Sequence, residues 1–398
     1  MEVNISNEVT IKELSEVVNI DGGYAFKSDE FVQNKTPIIR IGNIVDGNVE
    51  IDYNIGYDIV GKNFDKYLIN INDILVAMSG ATTGKMAMYR NNNIALLNQR
   101  VGRFSVIDKN ILDNKYLYYY LRSDFVQRKI KILASGCAQP NISPKQLLSI
   151  DIPVPLLETQ KKIVEVLEKA EKTLEKRKEA NRLLDELVKS QFIEMFGDPS
   201  LNPKGWNISY YEDVCKCITD GEHATPKRSE NGIYLLSARN ILNHSLKLDD
   251  VDYIGDDEYE RISKRIIPEE NDILISCSGS VGRVCKVPQN LKFQMVRSVA
   301  TLKLNGNINT TFMEWLIDSK YTQQQILQSI NQSSQANLFQ GKIKKLKAIV
   351  PPIELQNQFA DFVKQVDKLK FEMQKSLEEM ENNFNSLMQR AFKGELFK

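Results

Sequence analysis

The 398-residue chain repeats itself once, and no other feature constrains its fold as much. Asp73 opens DILVAMSGATTGK in the first half, and Asp272 opens DILISCSGSVGRV about 199 residues later. PIIRIGNI from Pro37 answers YLLSARNI from Tyr234, and Ile20-Asp21-Gly22 answers Thr219-Asp220-Gly221. Downstream, AQPNIS from Ala138 answers SQANLF from Ser334, and PLLETQKKIV from Pro155 answers PPIELQNQFA from Pro351. Landmarks that keep their order at a nearly constant offset mean a tandem duplication of one module. Half the chain is close to the ~100–200 residues of an ordinary domain, so each module can bury its own core.

Each module has two parts. Residues 1–155 and 199–351 mix short apolar runs (Pro37–Ile44, Asp73–Met78, Ile273–Ser276, Ala300–Leu304) with Gly, Asn and Asp turns, which predicts strands. A helix is expected at Lys115–Lys131 in the first copy and at Thr311–Ser329 in the second. Residues 156–198 and 352–398 read differently. Glu158 to Phe196 holds no Pro or Gly, and Ile163, Leu167, Ala170, Leu174, Leu184, Val188 and Met195 recur near a 3–4 spacing. Phe359, Val363, Val366, Leu369, Met373, Leu377, Met380, Phe384, Leu387 and Ala391 do the same in the second copy. Pro153, Pro155, Pro351 and Pro352 mark the helix starts; Gly197-Asp198-Pro199 and Gly394 mark the ends. About 39 residues make a rod of roughly 58 Å. Neither rod can bury its stripe alone, so antiparallel pairing of the two as a coiled coil is expected. Leu183, Leu187, Phe192, Phe196, Phe362 and Phe371 are read as an apolar stripe left over for a protein partner or as a broader seam. The expected fold is therefore mixed α/β: two globular domains in tandem, each followed by a long helix, with pseudo-two-fold symmetry.

Composition narrows the function by exclusion. The 42% hydrophobic and 26% charged fractions are those of a globular chain. No apolar run reaches the ~20 residues of a membrane span, and MEVNISNEVT lacks a signal-peptide pattern, so a cytoplasmic location is expected. Cys137, Cys215, Cys217, Cys277 and Cys285 form no C-x-x-C pair, and His223 and His244 are the only imidazoles, so no metal set is expected. Catalytic motifs are missing. SGATTGK at Ser79–Lys85 is one residue short of a phosphate loop and has Met86 where Ser or Thr would bind magnesium. Asp73 and Asp272 open strands and are read as turn formers, and His223 as a loop residue. The 52 basic and 52 acidic residues cancel, which removes a global basic excess as an argument for nucleic acid.

Matching loops nevertheless carry polar and basic side chains in both copies. In the first these are Lys27, Arg40, Asn43, Thr82, Thr83, Lys85, Asn98, Gln99, Arg100, Arg103, Gln139 and Asn141. In the second they are Thr225, Lys227, Arg228, Arg239, Asn240, Ser278, Ser280, Arg283, Arg297, Gln335 and Asn337. Arg reads guanine, Asn or Gln reads adenine, and Lys, Ser and Thr hold phosphates. A shared frame with different loops is what two readers of different DNA sequences require.

The pattern resembles the specificity subunit of Type I restriction–modification systems over essentially the whole chain. DGGYAFKS at Asp21–Ser28 and DGEHATP at Asp220–Pro226 resemble openings of that family's target-recognition domains. PLLETQKKI and PPIELQNQF resemble its P-x-x-E-x-Q helix entry, and MFGDP and AFKGEL its helix ends. Ala336 stands where the first copy has Pro140, and DGEHATP occurs once. The resemblance implies two target-recognition domains, each reading half of a bipartite double-stranded DNA site. Helices would set the spacer and dock two methyltransferase subunits, which methylate adenine N6, and restriction/translocase subunits. AdoMet, ATP and magnesium would belong to those partners, and the chain itself would be non-catalytic. Partners can also supply the positive charge that this neutral chain lacks. A coiled-coil scaffold that binds only protein, and a nuclease using Asp carboxylates, are the rival readings.

Overall fold

The computed structural model describes residues 9–45, 47–135, 139–331 and 337–396. The chain divides into two units, Met1–Lys178 with Lys375–Lys398, and Glu179–Gln374. Each holds one globular domain and parts of both long helices.

In the first unit an antiparallel sheet runs Val18–Gly22, Val101–Val106, Ile74–Ala77, Met86–Met88. A second sheet runs Gly56–Tyr57, Thr36–Ile39, Ala95–Leu97, Leu68–Ile69, with Thr36–Ile39 parallel to Ala95–Leu97. Thr10–Glu13 and Asp151–Val154 close the domain as a two-stranded ribbon. The DIL strand is apolar at every position because both its faces are covered. Ile74 and Val76 enter one core, and Leu75 and Ala77 enter another, as period-two alternation demands.

The second unit repeats this scheme by itself. Its first sheet runs Cys215–Asp220, Val299–Leu304, Ile273–Ser276, Val284–Lys286. Ile233–Leu236 and Phe293–Met295 form the parallel pair, and Asn207–Tyr210 with Lys347–Val350 forms the ribbon. The second sheet differs: a helix, Asp256–Ser263, lies by Phe293–Met295, and Arg228–Ser229 pairs on Asp252–Ile254.

The long helices are Leu157–Phe196 and Ile353–Phe392, 40 residues each. A buried glutamine fastens each start. Gln160 accepts from the Asp113 N–H and donates to the Ile111 and Pro155 carbonyls. Gln356 accepts from Asn309 and donates to Asn307 and Pro351. This is the physical reason for the Gln in P-x-x-E-x-Q. Gly197 and Gly394 end the helices at φ 77° and 71°, the left-handed stop that favours glycine. Pairing is antiparallel within each unit. Ile163 faces Ala391 and Phe392 while Leu174 faces Met380 and Phe384; Asn181 meets Gln374 and Asp185 meets Lys370.

Three expectations need correction. The helices at Lys115–Lys131 and Thr311–Ser329 are each two helices, Asn114–Arg122 with Asp124–Leu133 and Thr310–Asp318 with Lys320–Asn331. Ser123 (φ −62°, ψ 147°) and Ser319 (φ −64°, ψ 151°) are extended and break them. The register of the first landmark shifts by one: Gly102 opposes Gly22 while Ala300 opposes Asp220, so Asp220 corresponds to Gly22, not Asp21. The leftover stripe is shorter than expected, because Phe192 and Phe196 are buried in the second core beside Phe312 and Phe359. Leu183, Leu187 and Phe371 stay exposed, and Phe362 packs partly on that core.

Candidate nucleic-acid interface

Each domain carries a cleft at the same place in its frame. The first, about 740 Å³, opens among Ser79, Gln99, Arg100, Gln139, Asn141 and Ser143. The second, about 390 Å³, opens among Asp220, His223, Ser278, Arg297, Ser298 and Asn337. Matched backbone bonds build both. Met78 N–H donates to the Arg100 carbonyl and Ile142 N–H to Met78, each at 2.9 Å. Cys277 N–H donates to Ser298 and Leu338 N–H to Cys277, each at 2.8 Å. Ser79 therefore corresponds to Ser278, Gln99 to Arg297, Arg100 to Ser298 and Asn141 to Asn337.

The floor of the second cleft is settled electrostatically. Asp220 Oδ2 lies 2.9 Å from His223 Nε2, and Oδ1 accepts from Arg265 at 2.5 Å. Burial pushes the Cys277 thiol up to about 12, so no thiolate nucleophile stands there. In the first cleft the Ser79 hydroxyl is buried without a partner. Among the described residues no cluster of three or more His, Cys, Asp or Glu could hold a metal ion, and no helix is long and apolar enough to cross a membrane.

The model of the Type I restriction modification DNA specificity domain matches the chain twice, at residues 6–184 and 203–382. The chain belongs to that family. The EcoBI specificity subunit of Escherichia coli is 23% identical, over 96% of this chain and 85% of the relative. The MjaVIII specificity subunit of Methanocaldococcus jannaschii is 30% identical, over 51% of this chain and 49% of the relative. A crystal structure of the S subunit from M. genitalium shares the fold, with TM-score 0.54, 17% identity and 98% of both chains covered. A chain from work on complex assembly and conformational transition of the type I R-M system gives TM-score 0.57, 16% identity and the same coverage. Sequence-specific recognition of DNA is the function that goes with this family.

Within the two specificity domains, the residues named from sequence separate into free and engaged groups. Lys27, Lys85, Gln99, Arg100, Gln139, Asn141, Thr225, Lys227 and Arg297 are exposed, and Ser278, Arg283 and Asn337 half-buried. Lys227 feels the charge of Glu258, and none of the other side chains has a partner among the described residues. The clefts gather Gln99, Arg100, Gln139 and Asn141 in one domain and Ser278, Arg297 and Asn337 in the other; Lys27, Lys85, Thr225, Lys227 and Arg283 lie outside their linings. Ser280 is exposed and its carbonyl receives the Ser276 hydroxyl. Gln335 lies outside the described residues.

Most of the other candidates have side chains engaged within their domain. Asn43 accepts from Arg40 N–H and donates to the Glu50 carbonyl; Asn240 accepts from Ser237 N–H and donates to Lys247 and Asp250. Arg103 donates to Leu68 O and pairs with Asp21 at 2.9 Å and Asp73 at 3.6 Å. Thr82 donates to Ile41 and Thr83 to Gly80 and Pro140, which tie the loop down. Arg228 and Arg239 both pair with Asp252, whereas the Arg40 Nε is buried with no hydrogen-bond partner among the described residues. Asp73 and Asp272 do form turns, accepting from Asn70 and Glu269 N–H. Ser79 and Ser298 were not singled out from sequence, although the repeated Ser-Gly after the DIL strand carried the signal for the first.

Proposed function

We propose that each domain reads one half of a bipartite, asymmetric double-stranded DNA target through its cleft. The observation that carries this reading is the pair of equivalent clefts: same backbone frame, different unpaired side chains at the rim. Direct base readout needs donor and acceptor side chains that are not already bonded, and Gln99, Arg100 and Arg297 meet that condition. Each 40-residue helix is about 60 Å long. That equals roughly 18 base-pair steps at ~3.4 Å each, a length suited to fixing the spacer between half-sites. The chain would do no chemistry itself. Two methyltransferase subunits, using AdoMet to methylate adenine N6, and restriction/translocase subunits, using ATP and magnesium, would dock on it, and the exposed Leu183, Leu187 and Phe371 suit such contacts. The setting would be the cytoplasm.

Selection from random duplexes, with the methyltransferase subunits supplied, tests this reading. A split motif with a fixed gap is expected, and one added heptad in both helices should lengthen the gap and keep both half-sites. Equal binding to all duplexes at moderate salt would sink it.

A further inference from the structure

The paired clefts differ at two adjacent positions, Gln99 against Arg297 and Arg100 against Ser298. Gln99 N–H donates to the Tyr24 carbonyl and Arg297 N–H to the Glu222 carbonyl, both at 2.9 Å. The preceding turn is clamped in both domains by a glycine that tolerates no side chain. A Cβ on Gly23 would lie 2.2 Å from the Asn98 carbonyl oxygen, and one on Gly221 would lie 2.3 Å from that of Met295. Residues 99 and 297 are therefore held in the same way, exposed and without side-chain partners among the described residues. Among the described residues, the surroundings leave one cation of the second cleft's lining without a side-chain partner. The Ser298 hydroxyl accepts from Ala238 N–H, and the Asp220 carboxylate is taken by His223 and Arg265. Arg297 is left with its whole fork available.

Arg presents two donors that match O6 and N7 of guanine, whereas the Gln amide matches N6 and N7 of adenine. We propose that residues 99 and 297 are the base-discriminating positions of the two half-sites, with Gln99 reading an adenine and Arg297 reading a guanine. This rests on the proposed reading of the clefts as DNA sites. The shared residues, Ser79 with Ser278 and Asn141 with Asn337, hold what the half-sites have in common, the backbone. Arg100, beside Gln99, adds positive charge to the first cleft where the second has Ser298.

The test is duplex selection with the methyltransferase subunits supplied, comparing the wild-type chain with Arg297→Gln, Gln99→Arg and Arg297→Lys. Arg297→Gln is expected to change one guanine to adenine in one half-site, by about 5- to 150-fold in preference, and to leave the other half-site untouched. Gln99→Arg should do the reverse in the other half-site. Arg297→Lys keeps the charge and loses the fork, so discrimination at that base should fall while total affinity holds. Neither side chain supports the fold, so thermal unfolding should not move. If the wild type selects a split site but Arg297→Gln weakens all sequences equally, Arg297 touches phosphate and the assignment is overturned while the DNA reading stands. If the wild type selects no split site, both fall.

Discussion

The two units grip their long helices with different charges on the same framework. In the first, Glu171 of the first long helix is taken by Arg122 at 2.5 Å, the Tyr119 hydroxyl at 2.7 Å and Arg90 at 3.4 Å. Burial alone would raise its pKa, but Arg122 and Tyr119 outweigh it and hold the carboxyl below its usual range. In the second unit the paired acids lie in the domain itself. Glu314, 2% exposed, accepts from Lys286 N–H and faces the Lys286 ammonium at 3.6 Å, and His244 lies between Glu314 and Asp318. The second long helix brings Asp367, whose carboxyl burial pushes up. His244 occupies the left-handed turn position that Gly47 holds in the first unit, with φ 61° against 83°. What the duplication kept is the hydrogen bonding of backbone to buried amides. What it allowed to diverge is where the charges pair: across to Glu171 of the helix in the first unit, and inside the domain, among Glu314, Lys286, His244 and Asp318, in the second.

The largest effects should therefore fall on the shared amides. Gln160→Leu leaves the Asp113 N–H and two carbonyls without partners in a fully buried place, a loss of about 3 kcal/mol. Gln356→Leu should cost nearly as much, since only its bond to Asn307, at 3.3 Å, is long. Urea denaturation measures both, and hydrogen exchange at the starts of the Asn114–Arg122 and Thr310–Asp318 helices should show each loss confined to its own unit. A cost under about 1 kcal/mol for one of them would mean that the framework is not shared.

Breaking the charged grip should cost less and differ between units. Arg122→Met leaves Glu171 with Arg90 and Tyr119 still attached, so about 2 kcal/mol is expected rather than the ~3–5 of a fully orphaned buried charge. Its counterpart Asp318→Asn should cost about 1 kcal/mol, because the amide can still bond Asn243. Equal losses would contradict the divergence of the two grips.

The same division explains what was legible in the sequence. The duplication, the DIL strands and the long helices could be read because each depends on local pattern and on landmarks that recur. The breaks at Ser123 and Ser319 could not, since a serine that caps one helix while ending another looks like an ordinary helix residue until its backbone is seen. Among site residues, polarity and duplication found Gln99, Arg100, Arg297, Asn141 and Asn337, which line the clefts. The same criteria also chose Asn43, Asn240 and Arg103, because a polar residue repeated to hold a turn or an ion pair is indistinguishable in sequence from one repeated to bind a ligand. Long-range partners decide: Arg103 meets Asp21 across two strands.

His244 offers a pH test of the unequal grips. Its ring stacks on Trp315 at 4.0 Å, and its Nε2 lies 3.3 Å from Asp318. Nδ1 sits 3.5 Å from Glu314, near enough for attraction though not hydrogen-bonded. Burial would lower its pKa, but Asp318 and Glu314 overcome that and raise it to about 9. The folded state thus holds the proton more tightly than the unfolded one. The stabilisation is complete below the unfolded value of ~6.5 and is lost as pH climbs through about 9, a change of about 1–2 kcal/mol given partial exposure and the nearby Lys286. Unfolding free energies at pH 6 and 9.5 should show this loss in the wild type and not in His244→Gln. An unchanged slope in the variant would show that the imidazole is not the titrating group.

The smallest effects separate free from engaged arginines within the first unit. Arg103 has a side chain 16% exposed, is paired with Asp21 and Asp73 and bonded to Leu68 O. Arg103→Gln should cost about 1 kcal/mol of stability, and the selected half-site should keep its sequence. Arg100 is exposed and unpartnered among the described residues, so Arg100→Gln should change stability by less than about 0.5 kcal/mol while weakening binding at the half-site read by the first domain. Measuring melting and duplex selection on the same two variants distinguishes the roles, because each predicts an effect in one assay and silence in the other. If Arg103→Gln altered the half-site at full stability, its ion pairs would have to open on DNA, and the boundary between framework and reader drawn in this domain would move inward by that residue.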